Sequence, residues 1–136
     1  LKVISDMKQG YIDRETAVLL FSGEVNLIND ELQKAIEIFN QVIAKNPDSV
    51  EAIGSLGKVY FMLEQYKQAE MYLKKAVQLS SQNPIFYYGL GGVYVSLGQY
   101  KEAKGTLLKA AALFKKEGNE DYVKGILRSV ASFPDK

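Results

Sequence analysis

The side chains that could do chemistry in this chain are carboxylates and lysines, because it contains no cysteine and no histidine. This composition excludes disulfides, thiolate or imidazole metal ligands, and nucleophiles activated by histidine. The densest acidic group is Glu117, Glu120 and Asp121. Its position at the start of a predicted helix explains it better than a metal ion does, since the helix dipole stabilises acidic side chains there. We therefore predict no enzyme, no metal site and no cofactor, with carboxylate or lysine chemistry alone left open.

Lysines are concentrated on predicted helices in the second half of the chain, interspersed with Glu70, Glu102 and Glu117. The whole chain has 17 Lys+Arg against 16 Asp+Glu, a net charge of +1. Mixed charges of this kind are typical of a solvated helix face, whereas a nucleic-acid site needs clustered positive charge. We predict no nucleic-acid partner. The lysines in question are Lys67, Lys74, Lys75, Lys101, Lys104, Lys109, Lys115 and Lys116.

The length of 136 residues suits one domain with a hydrophobic core. The longest obvious apolar run, residues 17–21, is far shorter than the roughly 18 residues that suggest a membrane span. We expect no membrane insertion, and a soluble protein that is cytoplasmic by default. Because the chain starts at Leu1 without an initiator methionine, we expect it to be a piece of a longer protein.

Residues 50–83 and 84–117 are one 34-residue unit written twice, with thirteen identical positions. A repeat of this period predicts stacked helical hairpins. We expect Gly57 and Gly91 to let the two helices of a hairpin approach closely, facing Ala69 and Ala103. The identical pairs include Leu56/Leu90, Gly57/Gly91, Tyr60/Tyr94, Tyr66/Tyr100, Ala69/Ala103, Leu73/Leu107 and Ala76/Ala110.

Residues that favour helix ends punctuate the chain at the spacing of this unit. Small polar side chains accept hydrogen bonds from the first turn of a helix, and glycine permits the backbone that ends one. The predicted starts are Asp13, Asp48 with Glu51, Asn83 with Pro84, and Asn119. The predicted ends are Gly98 and Gly118. Six repeat helices and one terminal helix result.

The repeated residues resemble the tetratricopeptide repeat, whose pattern has Leu-Gly-x-x-Tyr in the first helix and Tyr-x-x-Ala in the second. Residues 56–60 and 90–94 match the first part, and residues 66–69 and 100–103 match the second. The resemblance implies an all-α, right-handed α-solenoid of three hairpins with a C-terminal capping helix. The implied units are an N-terminal segment at 1–15 that ends a preceding helix, a degenerate repeat at 16–49, repeats at 50–83 and 84–117, and the capping helix with its tail at 118–136.

The chain departs from the family pattern in the first repeat and in two turns. Ser22 and Asn26 stand where the family has Leu and Tyr. Asp30 and Glu64 occupy the turn position at which Gly98 fits the pattern. These departures affect the positions of helix ends and leave the predicted fold unchanged.

The resemblance also implies that the first helix of each repeat lines a concave groove, so the predicted function is protein–protein interaction. The groove positions are mostly apolar, which suits an amphipathic helix or a hydrophobic peptide, with Lys58 and either Glu24 or Glu51 setting its orientation. A clamp for a terminal carboxylate is excluded, because Leu20, Glu24, Ser55, Ile85 and Gly89 hold the slots that would need Lys, Asn and Arg. The predicted partner-binding residues are Leu20, Glu24, Leu27, Glu51, Lys58, Phe61, Met62, Ile85, Tyr88 and Val95.

Two alternatives to a partner-binding groove remain open on the sequence. Phe21, Ile28 and Met62 could pack between neighbouring repeats, and the terminal helix could cover Tyr88 and Val95. The same apolar surface could instead serve oligomerisation within a larger assembly, holding a second copy of the chain or a missing segment of it.

Overall fold

The computed structural model describes residues 2–8, 10 and 12–134 of the chain. Leu1, Gln9 and Tyr11 of the predicted N-terminal segment, and Asp135 and Lys136 of the predicted tail, lie outside the described residues. The described part is helical without any strand, which confirms the all-α prediction. Its helices are α1 (Lys2–Lys8), α2 (Arg14–Ile28), α3 (Leu32–Lys45), α4 (Val50–Met62), α5 (Tyr66–Leu79), α6 (Pro84–Ser96), α7 (Tyr100–Lys116) and α8 (Glu120–Ala131).

The helices form three antiparallel hairpins, α2 with α3, α4 with α5, and α6 with α7, that stack in chain order. Each second helix also packs on the first helix of the next hairpin, and α8 covers α7 as the last layer. Helix α1 packs against α2. The core follows the stack as three adjoining clusters centred on Phe39, Leu73 and Phe114. This is the solenoid with a terminal helix that the repeat predicts.

The close approach within a hairpin depends on a glycine that faces a leucine. A Cβ added to Gly57 would lie 2.6 Å from Leu73 Cγ, and one added to Gly91 would lie 2.5 Å from Leu107 Cγ. The side chain nearest to each glycine is therefore a leucine of the paired helix rather than the predicted alanine, Ala69 or Ala103. Helical side chains lean toward the N-terminus of their own helix, so a leucine one turn later covers the turn that carries the alanine.

The turn inside each hairpin has a residue with left-handed backbone at the same position, whether or not that residue is glycine. The φ angle is 60° at Asp30, 59° at Glu64 and 72° at Gly98, which are 34 residues apart. In the middle turn the Gln65 amide donates to the Tyr60 carbonyl at 2.9 Å, closing the helix end. The substitutions at Asp30 and Glu64 therefore leave the turn in place and store left-handed backbone strain in it.

Two of the predicted helix caps are confirmed. The Asp13 carboxylate accepts a hydrogen bond from the Thr16 amide at 2.7 Å, and the Asn83 side chain accepts one from the Ile85 amide at 3.0 Å. The hydrogen bonds from Thr16, together with one from Lys45, lower the pKa of Asp13 from 3.8 to about 2. Charged Asp13 therefore stabilises the start of α2.

The predicted cap at Asp48 is wrong by one residue. Ser49 is the cap of α4, and its buried side chain accepts a hydrogen bond from the Ala52 amide at 3.4 Å. Asp48 lies in the preceding turn, where it is exposed. Asn119 does occupy the cap position of α8, although its side chain makes no capping hydrogen bond.

Candidate functional site: a concave groove

The first helices of the hairpins and α8 together enclose a groove of about 1100 Å³. Helices α4 and α6 supply most of its lining, α2 lies at one end, and α8 lies at the other. Because α4, α6 and α8 turn apolar side chains toward the same space, the groove has mainly apolar walls, whereas α2 contributes Glu24. Its large apolar side chains are Val3, Phe61, Leu73, Ile85, Phe86, Tyr88, Val95, Leu107, Tyr122, Ile126 and Phe133.

The floor of the groove is made of small residues, among them Ser55, Gly89, Gly92 and Ser96. A Cβ added to Gly92 would lie no closer than 3.8 Å to the Phe61 ring, so the glycine leaves open space beside that ring. Bare backbone at Gly89 and Gly92, one helical turn apart, lets another chain approach α6 more closely than larger side chains would allow. The groove thus has walls of large side chains and a floor of small residues that leaves room for a bound chain.

Seven of the ten residues predicted to bind a partner line this one groove. The structure brings together side chains from three repeats, as the resemblance implies. The seven are Glu24, Glu51, Lys58, Phe61, Ile85, Tyr88 and Val95. Of these, Ile85 is 50% exposed and Tyr88 is 43% exposed, so both are available to a ligand.

The other three predicted residues do not line the groove. Leu20 and Leu27 are buried in the core, at 1% and 9% exposure, and Met62 is exposed outside the lining. Val3 of α1 belongs to the same buried cluster as Leu20 and itself lines the groove. We attribute the burial of Leu20 to α1, which fills the concave side of α2 and moves the open groove toward α4, α6 and α8.

Helix α8 contributes a wall that the sequence analysis missed. Tyr122 stacks on Phe114 with ring centroids 4.3 Å apart, and Tyr88 meets Tyr122 edge-on at 5.3 Å. After α8 the chain turns back, and the Phe133 ring lies 5.3 Å from the Tyr100 ring. The apolar residues Tyr122 and Ile126, one turn apart in the sequence of α8, held the missing signal, because a helix that continues the stack extends the groove as well as covering its end. Tyr88 is only partly covered as a result.

The charge of the groove is confined to its α2 and α4 side. Glu24, Glu51 and Lys58 are the charged lining residues on these helices, whereas the lining side chains of α6 and α8 are uncharged. Within the described part of the chain, neither Glu24 nor Lys58 forms an ion pair. Two charges at one end are therefore available to fix the direction of a bound segment.

The acidic group at the start of α8 is exposed, with Glu120 and Asp121 in the first turn of the helix. Among the described residues, no cluster of acidic side chains is arranged to hold a metal ion. None of the helices described here has the length and apolarity needed to cross a bilayer.

The fold agrees with comparison to known families. The model of a tetratricopeptide-type family described as "Anaphase-promoting complex, cyclosome, subunit 3" matches residues 28–110. This match covers more than half of the chain, so the chain belongs to that family. The resemblance to tetratricopeptide repeats is therefore confirmed.

Individual relatives share the repeat over part of their length or share the fold alone. Tetratricopeptide repeat protein 21B from Xenopus laevis is 32% identical over 68 residues, which are 50% of this chain and 5% of that protein. PcrH, solved in complex with the chaperone binding region of PopD, has a TM-score of 0.81 at 17% identity, covering 90% of this chain and 93% of that one. The TPR2B domain of yeast Sti1, solved in a complex with pHsp70, has a TM-score of 0.81 at 13% identity, covering 88% and 95%.

Proposed function

We propose that this chain is a protein-interaction scaffold whose concave groove holds an amphipathic helix or a hydrophobic peptide segment of a partner protein. The observation that carries the proposal is the groove of about 1100 Å³ with apolar walls and two unpaired charges at one end. Concave apolar surfaces of this size mark contact sites on proteins. The structures of PcrH with the chaperone binding region of PopD and of the Sti1 TPR2B domain in a pHsp70 complex support it at the level of the fold.

The size of the groove suits a short helical segment. A helix with its side chains is about 10–12 Å wide and rises about 5.4 Å per turn, so two turns occupy roughly 850–1200 Å³. About seven residues of a partner would therefore fill the space. Apolar side chains on one side of that segment would lie between Ile85, Tyr88 and Val95, with its backbone over Gly89 and Gly92.

The charges predict the polarity of the bound segment. A basic side chain of the partner would meet Glu24, an acidic one would meet Lys58, and the uncharged end of the groove would take apolar side chains only. An acidic C-terminal tail is disfavoured, because Glu24, Ser55 and Ile85 hold the positions at which a clamp would need charged donors for the terminal carboxylate.

Selection from a displayed library of random peptides tests the proposal directly. We expect enriched peptides to have apolar residues at helical spacing with charges of both signs, and their affinity to be measured by fluorescence anisotropy. The variant Ile85→Asp should lose about tenfold or more in affinity, since it places a charge on the groove wall. The control Met71→Asp changes a residue of α5 that is similarly exposed, at 57%, and lies outside the groove.

Three outcomes would count against the groove. Enrichment of peptides that end in acidic residues would contradict the predicted chemistry, and failure to enrich any sequence would remove the binding function. Equal affinity of Ile85→Asp and the parent would place the site elsewhere. Phe61→Ala and Tyr88→Asp should also weaken binding, with helical content checked by circular dichroism because both rings contact neighbours.

A further inference from the structure

Helix α2 carries a second apolar face that does not belong to the groove. Val18, Val25 and Ile28 are 60%, 53% and 80% exposed, and half-buried Phe21 lies between them. We call these four residues the α2 stripe. None of them lines the groove, so the stripe is a separate surface.

The internal repeat shows what normally covers such a face. Val18 is equivalent to Ala52, and Val25 is equivalent to Val59 and Val93, each 34 residues further along. Ala52, Val59 and Val93 are all 0% exposed, because α3 packs on α4 and α5 packs on α6. Val18 and Val25 therefore lie on a helix-packing face of the stack, for which the described part of the chain supplies no covering helix at α2. Phe21 and Ile28 extend this face beyond the positions that are buried in the second repeat, because their equivalents there, Ser55 and Met62, are not buried.

The spacing within the stripe makes it complementary to itself. Positions 18, 21, 25 and 28 are three, four and three residues apart, the a and d spacing of a helix seam. This pattern is unchanged when the order is reversed. In an antiparallel pair of α2 helices, Val18 of one copy would oppose Ile28 of the other, and Phe21 would oppose Val25.

The charges at the two ends of the stripe favour the same arrangement. Arg14 lies one turn before Val18 on the same helix face, and Asp30 lies in the turn that follows Ile28. Both are exposed, and within the described residues neither forms an ion pair. An antiparallel pairing places Arg14 beside Asp30 of the second copy, and beside the negative end of its helix dipole. A parallel pairing would place like charges together.

We propose that the chain forms a two-fold symmetric dimer in which the α2 stripes of two copies pack antiparallel. The occupant of the stripe is thus a second copy of this chain, held by eight apolar side chains and two Arg14–Asp30 pairs. The stripe adjoins the groove at Glu24, which lies one helical turn from both Phe21 and Ile28, whereas the groove walls on α4, α6 and α8 are not part of the stripe. This inference does not rest on the proposed peptide binding.

Sedimentation equilibrium over a range of concentrations tests the dimer. The parent should pass from monomer to dimer as concentration rises, and Val25→Glu should remain monomeric over the same range because it would bury two unpaired carboxylates. Met71→Glu, equally exposed but on α5, should dimerise like the parent. So should Ile85→Asp, which separates the stripe from association through the groove. A parent that is monomeric throughout, or a Val25→Glu variant that still dimerises, would overturn the proposal.

Cysteine cross-linking tests the direction of pairing in a chain that has no cysteine of its own. A disulfide requires Cα atoms about 4.4–6.8 Å apart. Antiparallel pairing therefore predicts a cross-link when Val18→Cys and Ile28→Cys variants are mixed, and none when either is oxidised alone. Cross-linking of each variant with itself would indicate parallel pairing, and no cross-link in the mixture would remove the stripe as the interface.

Discussion

Replacing Gly91 by alanine tests the contact that holds α6 against α7. The new Cβ would lie 2.5 Å from Leu107 Cγ, well inside van der Waals contact. Because the overlap is with the branch carbon and not only with a terminal methyl, Leu107 must change rotamer or α7 must shift. Overpacking of this kind costs about 1–3 kcal/mol, whereas alanine gains about 1 kcal/mol of helix propensity over glycine. We expect the free energy of unfolding to fall by about 0–2 kcal/mol.

A matched variant separates packing from helix propensity. Gly105 lies within α7, and a Cβ added there would meet nothing within 4 Å. Gly105→Ala should therefore raise the free energy of unfolding by about 1 kcal/mol through propensity alone. The difference between the two variants, about 1–3 kcal/mol, is the packing cost. Urea unfolding followed by circular dichroism measures both.

Equal stability of Gly91→Ala and Gly105→Ala would refute the contact. A double-mutant cycle sharpens the test, because Leu107→Ala removes the side chain with which the Cβ of Gly91→Ala would overlap. The cost of Leu107→Ala should be about 1–3 kcal/mol smaller in the Gly91→Ala background than in the parent. Additive effects would mean that the two positions do not touch.

The hairpin turns and the α2 cap carry two more predictions. Glu64→Gly should raise the free energy of unfolding by about 0.5–1 kcal/mol and Gly98→Glu should lower it by about 1–2 kcal/mol, since a left-handed φ strains every residue with a Cβ; urea unfolding would contradict this if both changes had the same sign. Thr16 and Lys45 hold the pKa of Asp13 at about 2, so its stabilising effect is complete above pH 4 and is lost as the pH falls toward 2. Asp13→Asn keeps a capping acceptor that does not titrate. The melting temperature of this variant should therefore fall less than that of the parent between pH 4 and pH 2.

The hairpins could be predicted from the sequence because the same residues occur at equivalent packing positions of two successive units. The identical positions of residues 50–83 and 84–117 predict core residues such as Leu56 and Leu90. Gly98 predicts the turn of the third hairpin, and Glu64, 34 residues earlier, lies at the equivalent turn of the second. Local chemistry was less decisive. Asp48 and Ser49 are both good caps, and only the burial of Ser49 against the helix start chooses between them.

The predicted residues that line the groove lie on helices with a packed helix on both sides. Phe61 and Ile85 line it as expected, since their neighbours follow the family pattern. Leu20 was predicted to bind a partner but is buried, because the family position assumes an open concave side. In this chain Val3 of α1 belongs to the cluster that buries Leu20. Tyr122 and Phe133 were missed because α8 was treated as a cover rather than as a further wall.

Helix α2 shows why a repeat pattern loses its predictive power at the end of a stack. A position in a repeat is buried or exposed according to its neighbour, and the neighbour of α2 is not another hairpin of the same kind. On the concave side Leu20 is buried in one cluster with Val3 of α1, whereas its equivalent in the third repeat, Tyr88, is 43% exposed. On the stacking side Val25 is 53% exposed, although its equivalents Val59 and Val93 are fully buried. One helix thus reverses the expected exposure on two sides, and each reversal identifies a surface where another segment packs or should pack.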